Sequence, residues 1–275
     1  MNQDNQKKNA DANLPLHHLV LLRGLAREAR HWGEFLNELE VEYKKQGLRV
    51  RVSTIDFPGC GRHSEMTPFP SIQSMTDFAR EKFIGIVSNE VEAQLERPVV
   101  RRLIAISLGG MVAADWLDRY PTDFQSAILI NSSLRGLSPV FERLRYEALP
   151  RLPGLLRSQT VEEKETKILA WVSNRQDRRE AVLKSWALIQ ATRPVHPLTI
   201  PFQLTAAGRF TAPERISVPL LVLASRQDRM VNPSCSEAIA SKYGARILFH
   251  PTAGHELALD AGPWAALMIA EWQTN

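Results

Sequence analysis

From Leu16 onward, short unbroken apolar runs alternate with longer segments whose apolar residues recur at helical spacing. The first run, HHLVLLRG, ends at Gly24 and lacks the polar alternation of a sheet face open to water. It predicts a buried parallel strand. Further strands are predicted at 48–57, 101–107, 126–133, 219–228 and 245–251. Between them lie amphipathic patterns at 31–45, where Trp32, Phe35, Leu36, Leu39 and Tyr43 share one stripe, and at 72–95, with Met75, Phe78, Phe83, Ile86 and Val87. A helix follows the third strand without a pause. The last one, at 262–272, is expected to turn Trp264, Leu267, Met268 and Trp272 inward. Six strands interleaved with helices predict an α/β fold, a mostly parallel sheet covered on both sides. A β/α barrel fits poorly, because no convincing strand lies between Ser133 and Pro219.

That gap is far too long for an ordinary strand-to-strand crossover. Its pattern is helical, with amphipathic stretches at 161–172 (Ile168, Leu169, Trp171) and 179–191 (Val182, Leu183, Trp186, Ile189). Residues 134–212 therefore read as a helical cap inserted into a core made of 16–133 and 213–275, preceded by a polar tail, 1–15, expected to lack order. Arginines 135, 143, 145, 151 and 157 make the start of the insertion basic, which reads more readily as a solvated face than as an anion site.

Composition narrows the function classes. With 275 residues the chain can build a full core, and its two cysteines, Cys60 and Cys235, cannot make a disulfide scaffold. The net charge of +4 is dispersed, which argues against nucleic acid as a partner. The opening MNQDNQKKNADANLP has no apolar run, and no later stretch is long enough for a membrane span, so a cytoplasmic location is expected. Oligomeric state is not legible.

The strongest chemical signal is RRLIAISLGGMVAADWL. Ser107 stands where a buried strand stops and a helix starts, with small Ala105 and Gly109 two places to either side. A tight turn of this kind pushes a serine hydroxyl out of the sheet edge, though a serine helix cap would look alike. A nucleophilic serine needs a histidine base and a carboxylate to orient that base. Asp228 and His255 each follow a strand of their own, 121 and 27 residues further on, in the order serine, acid, histidine. Glu256 and Asp260 are rival carboxylates, but neither starts from a separate strand end. His63 is a rival base without the final-strand context. Cys60, flanked by glycines in PGCGRH, has no defined oxyanion site and reads as a loop residue.

At residues 16–273 the chain resembles the α/β-hydrolase family, in the serine hydrolase branch with a helical cap, through LLRG (21–24), DFPGCG (56–61), AISLGG (105–110), SRQD (225–228) and GHELALD (254–260). The resemblance implies an α/β-hydrolase fold with catalytic Ser107, Asp228 and His255. It places the oxyanion hole at the backbone N–H groups of Leu25 and Leu108. Three departures are plain: Ala105 replaces the usual glycine, Arg23-Gly24 replaces His-Gly, and nothing precedes the first strand that could form the family's usual antiparallel pair. The implied reaction is hydrolysis of a small-molecule carboxylic ester without cofactor or metal. Thioester or carbon–carbon bond hydrolysis on the same residues stays open, as does a noncatalytic binding protein.

Overall fold

The computed structural model describes residues 15–92, 98–145, 154 and 157–272. The tail reading of 1–15 falls almost wholly outside them. Six strands form one sheet: β1 (Leu16–Leu22), β2 (Arg49–Ile55), β3 (Val99–Ile106), β4 (Ser126–Ile130), β5 (Leu220–Ser225) and β6 (Arg246–His250). They lie in the order β2-β1-β3-β4-β5-β6, and every pairing is parallel. All strands therefore end at the same edge, and the loops that leave that edge are neighbours in space.

Strand parity divides the core into two layers. Val20, Leu22, Leu103, Ala105, Leu129 and Val222 face one side, where they meet α2 (Ile72–Glu92) and α3 (Leu108–Arg119). Leu19, Leu21, Ile104, Ile106, Ile130 and Leu223 face the other, against α1 (Phe35–Lys45) and α8 (Gly262–Glu271). Arg102 is buried on that second side. Its guanidinium donates to the Ile269 and Trp272 carbonyls at 3.4 and 3.0 Å, satisfying groups that the end of α8 leaves open.

Two sequence expectations need correction. The helix expected from 31 begins only at Phe35; Ala29–Trp32 is a separate 3-10 turn, and Gly33, at φ +54°, breaks the two apart. In α8 the fully buried stripe is Ala265, Ala266, Ile269 and Ala270; Trp272, just past its end, is buried as expected, whereas Trp264, Leu267 and Met268 are only partly covered. Small alanines let the helix lie close to the sheet and turn the bulkier residues to its flanks. The predicted extension of α2 to Leu95 lies outside the described residues.

The segment between β4 and β5 carries α4 (Val161–Val172), α5 (Arg179–Thr192) and α6 (Thr199–Arg209), and α7 (Pro233–Tyr243) follows β5. Leu169, Trp171, Val172, Trp186 and Ile189 make a small core of their own, against Met230 and Leu259 from the loops after β5 and β6. Ala206 and Phe210, at the end of α6, belong instead to the main core. Arginines 135 and 143 spend their guanidinium groups on the carbonyls of residues 207–209, and Arg145 on that of Asp228. The first two join the two ends of the insertion to each other, and Arg145 joins it to the loop after β5. None of the described helices is long and apolar enough to cross a membrane.

His17 and His18 of β1 are buried, and burial pulls each imidazole down to about 4, with Arg102 adding to the effect on His17 and Arg51 and Arg101 on His18. Both are neutral in the folded protein but protonate near 6.5 when the chain is unfolded. The unfolded state therefore takes up protons first, and stability drains away as pH falls from 6.5 towards 4. His18→Gln preserves a side-chain donor for Ser53 Oγ, 2.9 Å away in the native protein. It is expected to flatten the fall in Tm between pH 7 and 5; an unchanged slope would assign the acid sensitivity to other groups.

Candidate active site at the carboxyl edge of the sheet

Three non-glycine residues among those described have left-handed backbones: Ala26 after β1, Ser107 after β3 and Asn131 after β4. Each such residue costs on the order of 1–3 kcal/mol. All three sit at the carboxyl edge of the sheet. Ser107, at φ +56° and ψ −120°, joins β3 directly to α3. Its N–H donates to Ile130 O at 2.9 Å, and its carbonyl accepts from Ser132 Oγ at 2.8 Å and from Gly110 N at 2.9 Å. Backbone crowding explains the small residues around it. A Cβ on Gly109 would stand 2.6 Å from Arg23 O, and one on Gly24 would stand 3.1 Å from Ser107 Cβ and 3.6 Å from its Oγ. Ser107 is nonetheless partly exposed, between buried Ile106 and Leu108.

Asp228 and His255 meet. His255 Nδ1 lies 2.7 Å from Asp228 Oδ2, and both side chains are almost wholly buried. The other oxygen, Oδ1, accepts from the N–H groups of Met230 at 2.7 Å and Val231 at 2.9 Å, which fixes the carboxylate's orientation. Capping of α7 falls to Asn232, whose side chain accepts from Ser234 N. Burial works to lower the His255 pKa, but the charge and hydrogen bond of Asp228, helped by Glu256, outweigh it and hold the imidazole above its usual value. Ser107 and the His255 loop are moored to consecutive residues, Ile130 and Asn131. Among the described residues Ser107 Oγ makes no hydrogen bond to His255.

Asn131 was not singled out by its sequence, yet it joins three strand ends. Its Nδ2 donates to Ser225 Oγ at 3.0 Å and His255 O at 2.8 Å, and its Oδ1 accepts from Ser225 N at 2.8 Å. The available signal was asparagine just past a strand, the residue type that best tolerates φ +44° apart from glycine.

The rival residues are occupied elsewhere. Glu256 takes both its oxygens to Arg23 Nη2, at 2.8 and 2.9 Å. Asp260 accepts from Ser173 Oγ, Asn174 N and Gly254 N. His63 packs edge-on against Phe78. Cys60 is fully buried, and burial foremost, with Asp56 adding, pushes its thiol up to about 12, far from a reactive thiolate. The described residues contain no group of three or more His, Cys, Asp or Glu placed to hold a metal ion.

Leu25 and Leu108 flank Ser107. Arg27 N closes a turn onto Gly24 O at 3.3 Å, and Ala26 N donates to Gln203 Oε1 at 2.8 Å. The Leu25 N–H has no acceptor among the described residues, and Leu108, first in α3, has none within its own helix. Helices of the insertion grip the same loop: Arg27 donates to Glu165 of α4 at 2.9 Å, and Arg30 to Thr192 Oγ1 of α5 at 2.8 Å.

The Arg23–Glu256 pair links the loop after β1 to the residue beside His255, so breaking it leaves a buried charge alone. Arg23→Met is expected to cost about 3–5 kcal/mol in urea unfolding, and Arg23→Met with Glu256→Leu to recover most of that loss. Equal losses in the single and double variants would show that the ion pair is not what holds these loops together.

The alpha/beta hydrolase family profile matches residues 19–267. Among curated proteins no sequence matches the chain. Solved structures that share the fold include a lipase-esterase related protein from Clostridium acetobutylicum, with TM-score 0.68, 13% identity and 94% of each chain covered. Another is 2-hydroxy-6-oxo-6-phenylhexa-2,4-dienoate hydrolase from Rhodococcus sp. strain RHA1, with TM-score 0.68, 19% identity, and 94% of this chain and 90% of the other covered. The enol-lactonase from Burkholderia xenovorans LB400 gives TM-score 0.66 and 19% identity over 94% and 91%. At these identities the structures speak for the fold alone. The family profile spans nearly the whole sheet together with its inserted helices, and the chain belongs to the alpha/beta hydrolase family.

Proposed function

We propose that this protein is a serine hydrolase that cleaves a small-molecule carboxylic ester through an acyl-enzyme on Ser107. The observation that carries the reading is the buried 2.7 Å contact between His255 Nδ1 and Asp228, beside a serine held in a left-handed turn. With Nδ1 engaged by Asp228, Nε2 is the nitrogen left to act on Ser107. It takes the hydroxyl proton as Oγ attacks the ester carbonyl, and Asp228 stabilises the imidazolium. The N–H groups of Leu25 and Leu108 receive the oxyanion; one such donor is worth about 3 kcal/mol in the transition state. His255 then protonates the leaving alcohol, activates water against the acyl-enzyme, and the acid departs. Residues 134–212 act as the cap over the acyl site, a reading supported by the grip of Glu165, Thr192 and Gln203 on the loop that carries Leu25.

A panel of aryl esters, acyl thioesters and a β-diketone tests the reading. Aryl esters are expected to turn over best. Ser107→Ala is expected to lower kcat by about 10⁶-fold, with residual catalysis from the remaining donors. Cys60→Ala is expected to retain turnover. Because His255 must be neutral to act, and its pKa is held above 6.5, kcat/KM is expected to rise with pH through a midpoint above that value. Asp228→Asn is expected to move the midpoint down and cut the rate by about 10⁴-fold, through the wrong imidazole tautomer. Full turnover in Ser107→Ala would overturn the proposal, and preference for thioester or diketone would reassign the substrate.

A further inference from the structure

Gln203 reaches from the inserted helices to the turn that carries the Leu25 N–H. Its Oε1 accepts from Ala26 N at 2.8 Å, and its Nε2 faces Cys60 Sγ at 4.0 Å. The helix behind it is fixed. Thr199, Gln203 and Ala206 form the buried face of α6. Thr199 Oγ1 and His196 N both donate to Gly59 O, at 3.1 and 3.0 Å, and Ala206 joins the main core.

The turn does not support itself. Residues 24–27 are closed by Arg27 N onto Gly24 O at 3.3 Å, beyond the usual range for such a bond. Ala26, third in the turn, has φ +52°, and Leu25 before it is not among the left-handed residues described. That combination is the type II pattern, whose third position suits glycine or asparagine rather than alanine. A type I turn joins the same ends with no left-handed residue. The two types differ by a half-turn of the peptide between the second and third residues. Here that is the Leu25–Ala26 peptide, and Gln203 holds it by its N–H.

Position gives this bond its consequence. Gly24 packs on the proposed nucleophile, since a Cβ there would stand 3.1 Å from Ser107 Cβ and 3.6 Å from its Oγ. The Leu25 N–H belongs to the very next peptide, and Leu25, Ala26 and Ser107 are all partly exposed. Turning over the Leu25–Ala26 peptide changes the backbone of Leu25 itself. A misplacement of about 1 Å at a reacting centre costs about 10²-fold in rate.

We propose that Gln203 is a positioning residue for the hydrolysis: its side-chain carbonyl holds the Leu25–Ala26 peptide in the strained orientation that aims the Leu25 N–H at the oxyanion over Ser107. This rests on Ser107 being the acyl acceptor. The core alone supplies a turn that alanine disfavours, and the insertion completes the oxyanion hole by locking it.

Kinetics on p-nitrophenyl butyrate test the role. Gln203→Met is expected to lower kcat about 10²-fold with KM within about threefold, because the lost interaction is made only in the transition state. Affinity for an aryl trifluoromethyl ketone is expected to fall by the same factor. Ser107 Oγ adds to its carbonyl, His255 keeps the proton, and the hemiketal oxygen occupies the oxyanion site. Gln203→Glu, whose carboxyl oxygen still accepts, is expected to lose at least about tenfold less than Gln203→Met. In the Ala26→Gly background the left-handed turn carries no strain, so Gln203→Met is expected to cost less than about tenfold there. Equal losses in the two backgrounds would assign Gln203 to the docking of α6 alone and overturn the proposal.

Amide exchange in the native protein, labelled with ¹⁵N-leucine and ¹⁵N-alanine, needs no variant and decides even if Gln203→Met fails to fold. Corrected for intrinsic rates, Ala26 is expected to exchange at least about tenfold more slowly than Leu25, whose N–H waits for the oxyanion. Equal protection of the two would overturn the hold on the turn. Native protein active through Ser107, with kcat unchanged in Gln203→Met, would overturn the positioning role alone. Native protein with no ester turnover and no adduct on Ser107 would overturn the hydrolase reading, and the oxyanion role with it.

Discussion

A carboxylate and an imidazole buried 2.7 Å apart are the constraint around which this protein is organised. Taking either group out of water is costly, and the pair holds only if its geometry is fixed and its remaining hydrogen-bonding positions are filled. Asp228 meets that demand with two backbone N–H groups of its own turn. His255 meets it through its carbonyl, pinned by Asn131, and through its neighbour Glu256, pinned by Arg23.

The parallel sheet makes the arrangement available. Its strands all finish at one edge, so the loops after β1, β3, β4, β5 and β6 are neighbours in space, the long insertion between β4 and β5 notwithstanding. Strain gathers there too, at Ala26, Ser107 and Asn131, and each strained residue is over-determined by contacts from a second element. The insertion adds a further layer of polar contacts over the β1 loop. Hydrophobic packing fixes the sheet and its helices; buried polar bonds fix the edge on which the proposed chemistry depends.

How much of this the sequence disclosed follows from the range of each interaction. Strands and most helices were legible because their apolar periodicity is local. Ser107 was legible for the same reason: the strand–serine–helix junction and its small neighbours lie within a few residues. Asp228 and His255 followed from chain order, each after its own strand. The helix α6 lay outside the two helical stretches, 161–172 and 179–191, that the pattern of the insertion predicts; its Pro201 sits in the first turn, where a missing N–H costs nothing. Arg23–Glu256 and the contacts of Asn131 stayed hidden because their partners are 94 to 233 residues apart, and no local pattern encodes them. Arg23, which stands where the family usually has histidine, is held by Glu256, the residue next to His255.

The central claim is that Ser107 is a nucleophile activated by His255. A fluorophosphonate probe, followed by a peptide map of the labelled protein, tests it most directly. Activated phosphorus reacts with a serine whose proton has a base to go to, and not with an ordinary helix-capping serine. A single adduct on the peptide carrying Ser107, formed in the native protein and sharply reduced by His255→Ala, is the predicted result. An adduct confined to another residue, or none at all on the folded protein, would contradict the account.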